Sequence, residues 1–140
     1  MRLHKSAIDS YGAVQVQTGV ATADSARLIL MLFDGLLESL MVAKGHIQHG
    51  NIVAKSSALT RAGRIVVGLQ GALDFDRGGE ISRNLSELYA YVTRRLLQAN
   101  ASNDTEIIDE VHGLMSEIRE AWQTLPGLMP SQQQSAPLLN

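Results

Sequence analysis

Apolar residues crowd the segment from Arg27 to Ala43 so densely that they circle a helix instead of forming one stripe, with only Asp34, Gly35, Glu38 and Ser39 interrupting the run. A helix of this kind is either covered on several sides by its own protein or offers surface to a partner. Thr22-Ala23-Asp24-Ser25 supplies capping hydroxyls and an early acid ahead of it, and Gly50-Asn51 can take the left-handed backbone that ends it.

Three more helices follow. Leu59, Ala62, Val66, Leu69 and Leu73 alternate spacings of three and four and predict a helix over 52–73 with a bundle-type seam. Its Gly63, Gly68 and Gly71 each cost about 1 kcal/mol relative to alanine. They predict a surface kept flat for close approach, by a neighbouring helix of the same bundle or by a helix of another protein. Asp74 to Glu80 reads as a turn built on Gly78 and Gly79; no strand precedes it and it lacks dinucleotide and Walker spacing, so it is not a phosphate loop.

Ile81, Leu85, Leu88, Val92, Leu96 and Ala99 form the third stripe. Asn103-Asp-Thr-Glu106 reads as a capping box in which the Asn103 side chain accepts an amide proton. The fourth helix presents Ile108, Val111, Met115, Ile118, Trp122 and Leu125, with Ile107, Leu114 and Ala121 as an adjacent stripe, and Pro126-Gly127 stops it. Four long helices on short turns predict an all-α, antiparallel up-down four-helix bundle. The expected organisation is an N-terminal arm over 1–21, the bundle over 22–126 and a disordered Pro/Gln/Ser-rich tail over 127–140.

Composition narrows the function. A chain of 140 residues fits one domain, and a net charge of -2 argues against a nucleic-acid partner. Without cysteine there is no disulfide framework, thiolate nucleophile or cysteine-ligated zinc, which suits a cytoplasmic protein. The polar start Met1 to Ser10 lacks the apolar core of a secretory signal. The apolar run of the first helix falls short of the roughly 20 residues that span a bilayer, so no membrane insertion is expected.

Catalytic and metal chemistry find little support. A carboxylate-bridged metal pair in a bundle needs Glu-x-x-His repeats, which are absent, and His46 with His49 lack a nearby acid. Asp34 and Glu38, one turn apart, read as the water-facing edge of the first helix, and His112 as an exposed polar residue. No nucleophile elbow is present. The chain reads as a non-enzyme with no cofactor.

Several long motifs recur in order: Leu28-Ile-Leu-Met-Leu-Phe-Asp-Gly35, then Leu73-Asp-Phe-Asp-Arg-Gly-Gly-Glu-Ile-Ser-Arg-Asn-Leu-Ser-Glu-Leu-Tyr-Ala-Tyr91, Arg94 to Asn100, Asn103-Asp104 and Ala121-Trp122. Across about residues 11–123 the chain thereby resembles the flagellin export chaperones of the FliS family. The resemblance implies a cytosolic four-helix bundle that binds the C-terminal region of flagellin, prevents premature polymerisation and aids delivery to the flagellar type III export apparatus. The export gate and other flagellar factors are further candidate partners. Two departures stand out: Thr22 to Ser25 replaces the family's Ser-Pro before the first helix, and the tail after Leu125 lies outside the pattern.

A disordered amphipathic client would zip onto long apolar grooves. Candidate lining residues are Leu30, Met31, Leu37 and Met41 on the first helix, Val67, Gly68 and Gly71 on the second, and Ile107 with Leu114 on the fourth. In the arm, Tyr11, Val14 and Val16 are candidates for a lid over such a groove, with Tyr11 at an N-terminal tyrosine the family shares. The free chain is expected to be a monomer or weak homodimer. A homo-oligomeric adaptor, with the surplus apolar surface as a symmetric interface, is the competing expectation.

Overall fold

A computed structural model describes residues 25–124. They form four helices: α1 (Ser25–Gln48), α2 (Ile52–Gly71), α3 (Phe75–Ser102) and α4 (Thr105–Thr124). Each helix packs on its two neighbours in the order α1, α2, α3, α4 and back to α1, the arrangement of an up-down bundle. The arm, the cap at Thr22 to Asp24, the stop at Pro126-Gly127 and the tail lie outside the described residues.

The core follows the predicted seams except at Ile81, which the third stripe includes but which is 52% exposed just beyond the break in the helix at Gly79. Leu59, Ala62, Val66 and Leu69 of α2, Val92, Leu96 and Ala99 of α3, and Ile108, Val111, Met115 and Trp122 of α4 are buried, with Leu73 just beyond α2. They meet Ile29, Leu32, Phe33, Leu36, Leu40 and Ala43 of α1 in one cluster. Most of the grease on α1 is therefore consumed by its own bundle, because α2 and α4 cover it from two sides.

The helix ends follow local chemistry. Gly50 takes φ 72° after α1, and Asn51 then caps α2 by accepting from the Ala54 amide at 3.3 Å. Two sequence expectations are corrected. Asp74 to Glu80 is not a free turn: Asp74 accepts the Asp76 and Arg77 amides, both at 3.1 Å, and starts α3 at Phe75, while Gly79 (φ 50°, ψ −119°) kinks the helix one turn later. Asn103 is not the cap of α4. It sits in the left-handed region and ends α3, and the Asp104 side chain instead accepts the Glu106 amide at 2.9 Å.

Polar seams fix the pairing. Lys55, almost fully buried, donates to the Asn100 carbonyl at 2.7 Å, and Gln70 donates to the Ser86 carbonyl at 3.2 Å, which docks α3 antiparallel to α2. Lys44 pairs with Asp109 at 2.9 Å and Asp34 with Arg119 at 2.7 Å, tying α1 antiparallel to α4.

Candidate functional site

Hydrogen bonds and helical spacing assign the expected groove residues of α1, and Leu114 of α4, to seams. Leu30, Asp34, Leu37, Met41 and Lys44 fall on one stripe of α1, and because Asp34 and Lys44 bond to α4, this stripe is the α4 shoulder. Leu30 and Leu37 are half-buried against the core, while Met41 is 49% exposed. Met31 shares the opposite stripe with Gly35, Glu38 and Val42, facing α2, whose Arg61 reaches Gly35 and Glu38.

On α4, Glu110, Leu114, Glu117 and Ala121 make the stripe that faces α3, since Glu110 accepts from Tyr91 and from Arg95 Nε at 3.0 Å. Leu114 is half-buried there and packs against the core. Val67 stands on the outer face of α2, well exposed. The candidates therefore do not line one groove; they are distributed over three seams and one outer face.

Two expectations about surface, at Ile107 and Gly68, are corrected. Ile107 is only 4% exposed and belongs to the core, because the wide apolar face of α4 turns both of its stripes inward at this level. Gly68 is buried and Gly71 half-buried. Gly63, by contrast, faces open space, so no helix of the bundle packs closely on it. Tyr11 and Val16 lie outside the described residues, as does the lid they were expected to form.

Sequence patterning missed other exposed apolar residues, namely Val42, Ile52, Val53 and Leu97. Leu97 follows the buried Leu96 directly, so a stripe drawn through the core positions passes it by. Between α1 and α2 runs an open groove of about 520 Å³ lined by Glu38, Ser39, Val42, His46, Ala54, Ser57, Ala58 and Arg61. It mixes one acid, one guanidinium and one imidazole with small side chains.

The electrostatics are those of a scaffold. Asp34 and Glu38 are exposed and each pairs with an arginine, as the water-facing reading of α1 expects. Hydrogen bonds from Tyr91 and then Arg95 hold the Glu110 carboxyl below the usual range, and the same bond to Glu110 pushes the Tyr91 phenol up. Tyr89 is 1% exposed, and burial pushes its phenol far up; the neighbouring Trp122 indole N–H offsets this only in part and closes no hydrogen bond of normal geometry. Among the described residues no cluster of His, Asp and Glu can hold a metal ion, and no helix is long and apolar enough to cross a membrane.

A family model described as "Flagellar protein FliS" matches residues 7–128. The chain is 48% identical over 121 residues to the flagellar secretion chaperone FliS of Salmonella typhimurium strain LT2, covering 86% of this chain and 90% of that one. It is 40% identical over 116 residues to the flagellar secretion chaperone FliSB of Pseudomonas aeruginosa, covering 83% and 92%. To FliS of Bacillus subtilis strain 168 it is 36% identical over 113 residues, covering 81% and 83%. A four-helix bundle with apolar shoulders, no catalytic constellation among its described residues and this breadth of likeness belongs to the FliS family of flagellar secretion chaperones.

Proposed function

We propose that this chaperone binds the C-terminal region of flagellin, keeps it from polymerising prematurely and delivers it to the flagellar type III export apparatus from the cytosol. The observation that carries the reading is the spread of partly exposed apolar residues over separate seams: Leu30, Leu37 and Met41 beside α4, Met31 beside α2, and Leu114 beside α3. A folded partner covers one contiguous patch, whereas a segment without structure of its own can wrap from seam to seam. Methionine at two of these positions suits an adaptable contact, because its unbranched side chain repacks readily.

Ordering such a client costs several kcal/mol, which keeps the net affinity modest relative to the area covered and lets the client leave again for export. The client-free protein is a monomer or weak homodimer. Calorimetric titration with a peptide spanning the C-terminal segment of the cognate flagellin tests the reading. Saturable one-to-one binding with a negative heat-capacity change is expected; absence of binding at micromolar concentrations by a folded protein overturns it. Deleting residues 1–18 is expected to leave the bundle folded and to change client affinity.

A further inference from the structure

All the sulfur in this chain is thioether. It has five methionines and no cysteine, so no thiolate competes for an oxidant. Met31, Met41 and Met115 lie among the described residues, and the fold grades their access to solvent. Met115 is fully buried in the core, Met31 is half-buried on the α2 side of α1, and Met41 is 49% exposed on the α4 shoulder.

Oxidation therefore separates surface from core. A small oxidant in solution meets the Met41 sulfur directly, whereas that of Met115 is reached only when the bundle opens. A sulfoxide replaces a flexible apolar side chain by a polar one with a strong acceptor oxygen. One turn beyond Met41 on the same stripe, the Lys44 ammonium donates to both carboxylate oxygens of Asp109, at 2.9 and 3.1 Å. An ammonium carries three protons, so Lys44 can serve a further acceptor without giving up Asp109.

We propose, on the flagellin reading of the α4 shoulder, that Met41 is a site of reversible oxidation by peroxides whose sulfoxide lowers affinity for the client and leaves the bundle folded. The sulfur lone pair attacks the peroxide: an S–O bond forms as the O–O bond breaks, and the departing hydroxide takes the proton of the transferred oxygen and leaves as water. Sulfur is oxidised by two electrons and the peroxide is reduced. In the reverse step two thiols of a methionine sulfoxide reductase system become a disulfide, and the oxygen leaves as water. Oxidised Met41 opposes the client because the apolar segment must cover an oxygen that water otherwise solvates. Lys44 holds that oxygen at the surface by donating to it.

The test treats the folded full chain with hydrogen peroxide, locates sulfoxides by peptide mass spectrometry, and titrates the flagellin C-terminal peptide before and after. Met41 is expected to oxidise first, Met31 more slowly, and Met115 not at all while helicity is unchanged. Each protein is compared with its own untreated form. Once Met41 is oxidised, the parent and Met31→Leu are expected to bind about fivefold or more weakly, and Met41→Leu under the same treatment to lose less than about twofold. Methionine sulfoxide reductases with dithiothreitol are expected to restore the affinity of the parent. Unchanged affinity with the sulfoxide present at Met41, equal losses in Met31→Leu and Met41→Leu, or loss of helicity in step with Met41 oxidation overturns the proposal. Oxidation of Met115 ahead of Met41 does so as well. Binding that survives oxidation leaves the flagellin reading standing, whereas a parent that fails to bind before peroxide overturns both.

Discussion

Arg61 of α2 lies across Gly35 of α1: its Nη1 donates to the Gly35 carbonyl at 3.1 Å and to the Ser39 hydroxyl, and a Cβ on residue 35 would stand 3.2 Å from Nη2 and 3.4 Å from the Ile65 Cδ1. The absent side chain in the middle of α1 gives α2 a place to lay its guanidinium. Gly35 is also the break in the apolar belt of α1, and its carbonyl is held by the arginine that ion-pairs with Glu38 at 3.7 Å.

Gly35→Ala is therefore expected to change stability by less than about 0.5 kcal/mol, because the gain in helix propensity of up to about 1 kcal/mol offsets the displacement of a flexible guanidinium tip. Gly35→Leu brings branched atoms onto Ile65 and is expected to cost about 2 kcal/mol. Arg61→Ala is expected to cost about 1 kcal/mol alone and less in the Gly35→Ala background. A double-mutant cycle by urea unfolding measures the difference, and strict additivity would show that the two residues do not act through each other.

The start of α4 separates two capping residues. Asp104→Ala is expected to destabilise by about 1 kcal/mol through loss of the side-chain acceptor for Glu106 N and Ile107 N. Asn103→Gly is expected to fall within a few tenths of a kcal/mol of the parent, or above it, since its φ of 54° is one glycine adopts without steric cost. Thermal unfolding of the two variants decides between the caps.

That pair also shows where reading the chain reached its limit. The seams of α2 and α4 were legible because apolar residues recur on a helical period, and Leu59, Ala62, Val66, Ile108, Val111 and Met115 are all buried. The choice between adjacent Asn103 and Asp104 was not, since both are good caps and only the left-handed backbone at the first of them decides. Lys55 is buried for a reason of distant sequence, the Asn100 carbonyl it meets, and Ser82 because the kinked start of α3 lets it donate to the Asp74 carbonyl at 2.8 Å. On the candidate surface, Met41 and Val67 could be picked out as surplus to a seam, but Ile107 could not be told from a surface residue until both stripes of α4 were seen to face inward.

The kink of α3 is fixed by two glycines in different ways. Gly79 occupies φ 50° and ψ −119°, where a Cβ is strained, and Gly79→Ala is expected to cost about 1–3 kcal/mol. Gly78 is limited by space, because a Cβ there would overlap the Ser82 hydroxyl. Gly78→Ala is expected to destabilise, and adding Ser82→Ala is expected to recover part of that loss, whereas it should rescue nothing in Gly79→Ala. Unfolding midpoints of the four variants test the distinction.

Tyr89 gives the fold an alkaline limit. Burial favours its neutral form, so its contribution to stability is fully present below the unfolded tyrosine pKa of about 10 and is lost as pH rises from there toward the higher folded value. Absorbance titration at tyrosinate wavelengths is expected to show Tyr91 ionising while helicity persists and Tyr89 ionising only as helicity falls. Tyr89→Phe should retain helicity to higher pH than the parent; an identical alkaline transition in the two proteins would place the cause elsewhere.

The candidates on α1 and α4 can be sorted by what a charge does at each. Met41 is half exposed on the α4 shoulder, so Met41→Asp leaves the core intact and is expected to cost less than about 1 kcal/mol of stability while weakening the flagellin C-terminal peptide at least tenfold. Ile107→Asp places an unpaired carboxylate in the core and is expected to cost more than about 3 kcal/mol, so any loss of binding there tracks loss of fold. Leu114→Asp, half-buried beside α3, falls between the two in stability and is expected to weaken the client as Met41→Asp does. If Met41→Asp and Leu114→Asp both stay folded and bind the peptide like the parent, the client does not run over these seams, since a wrapping segment cannot avoid both shoulders of the bundle.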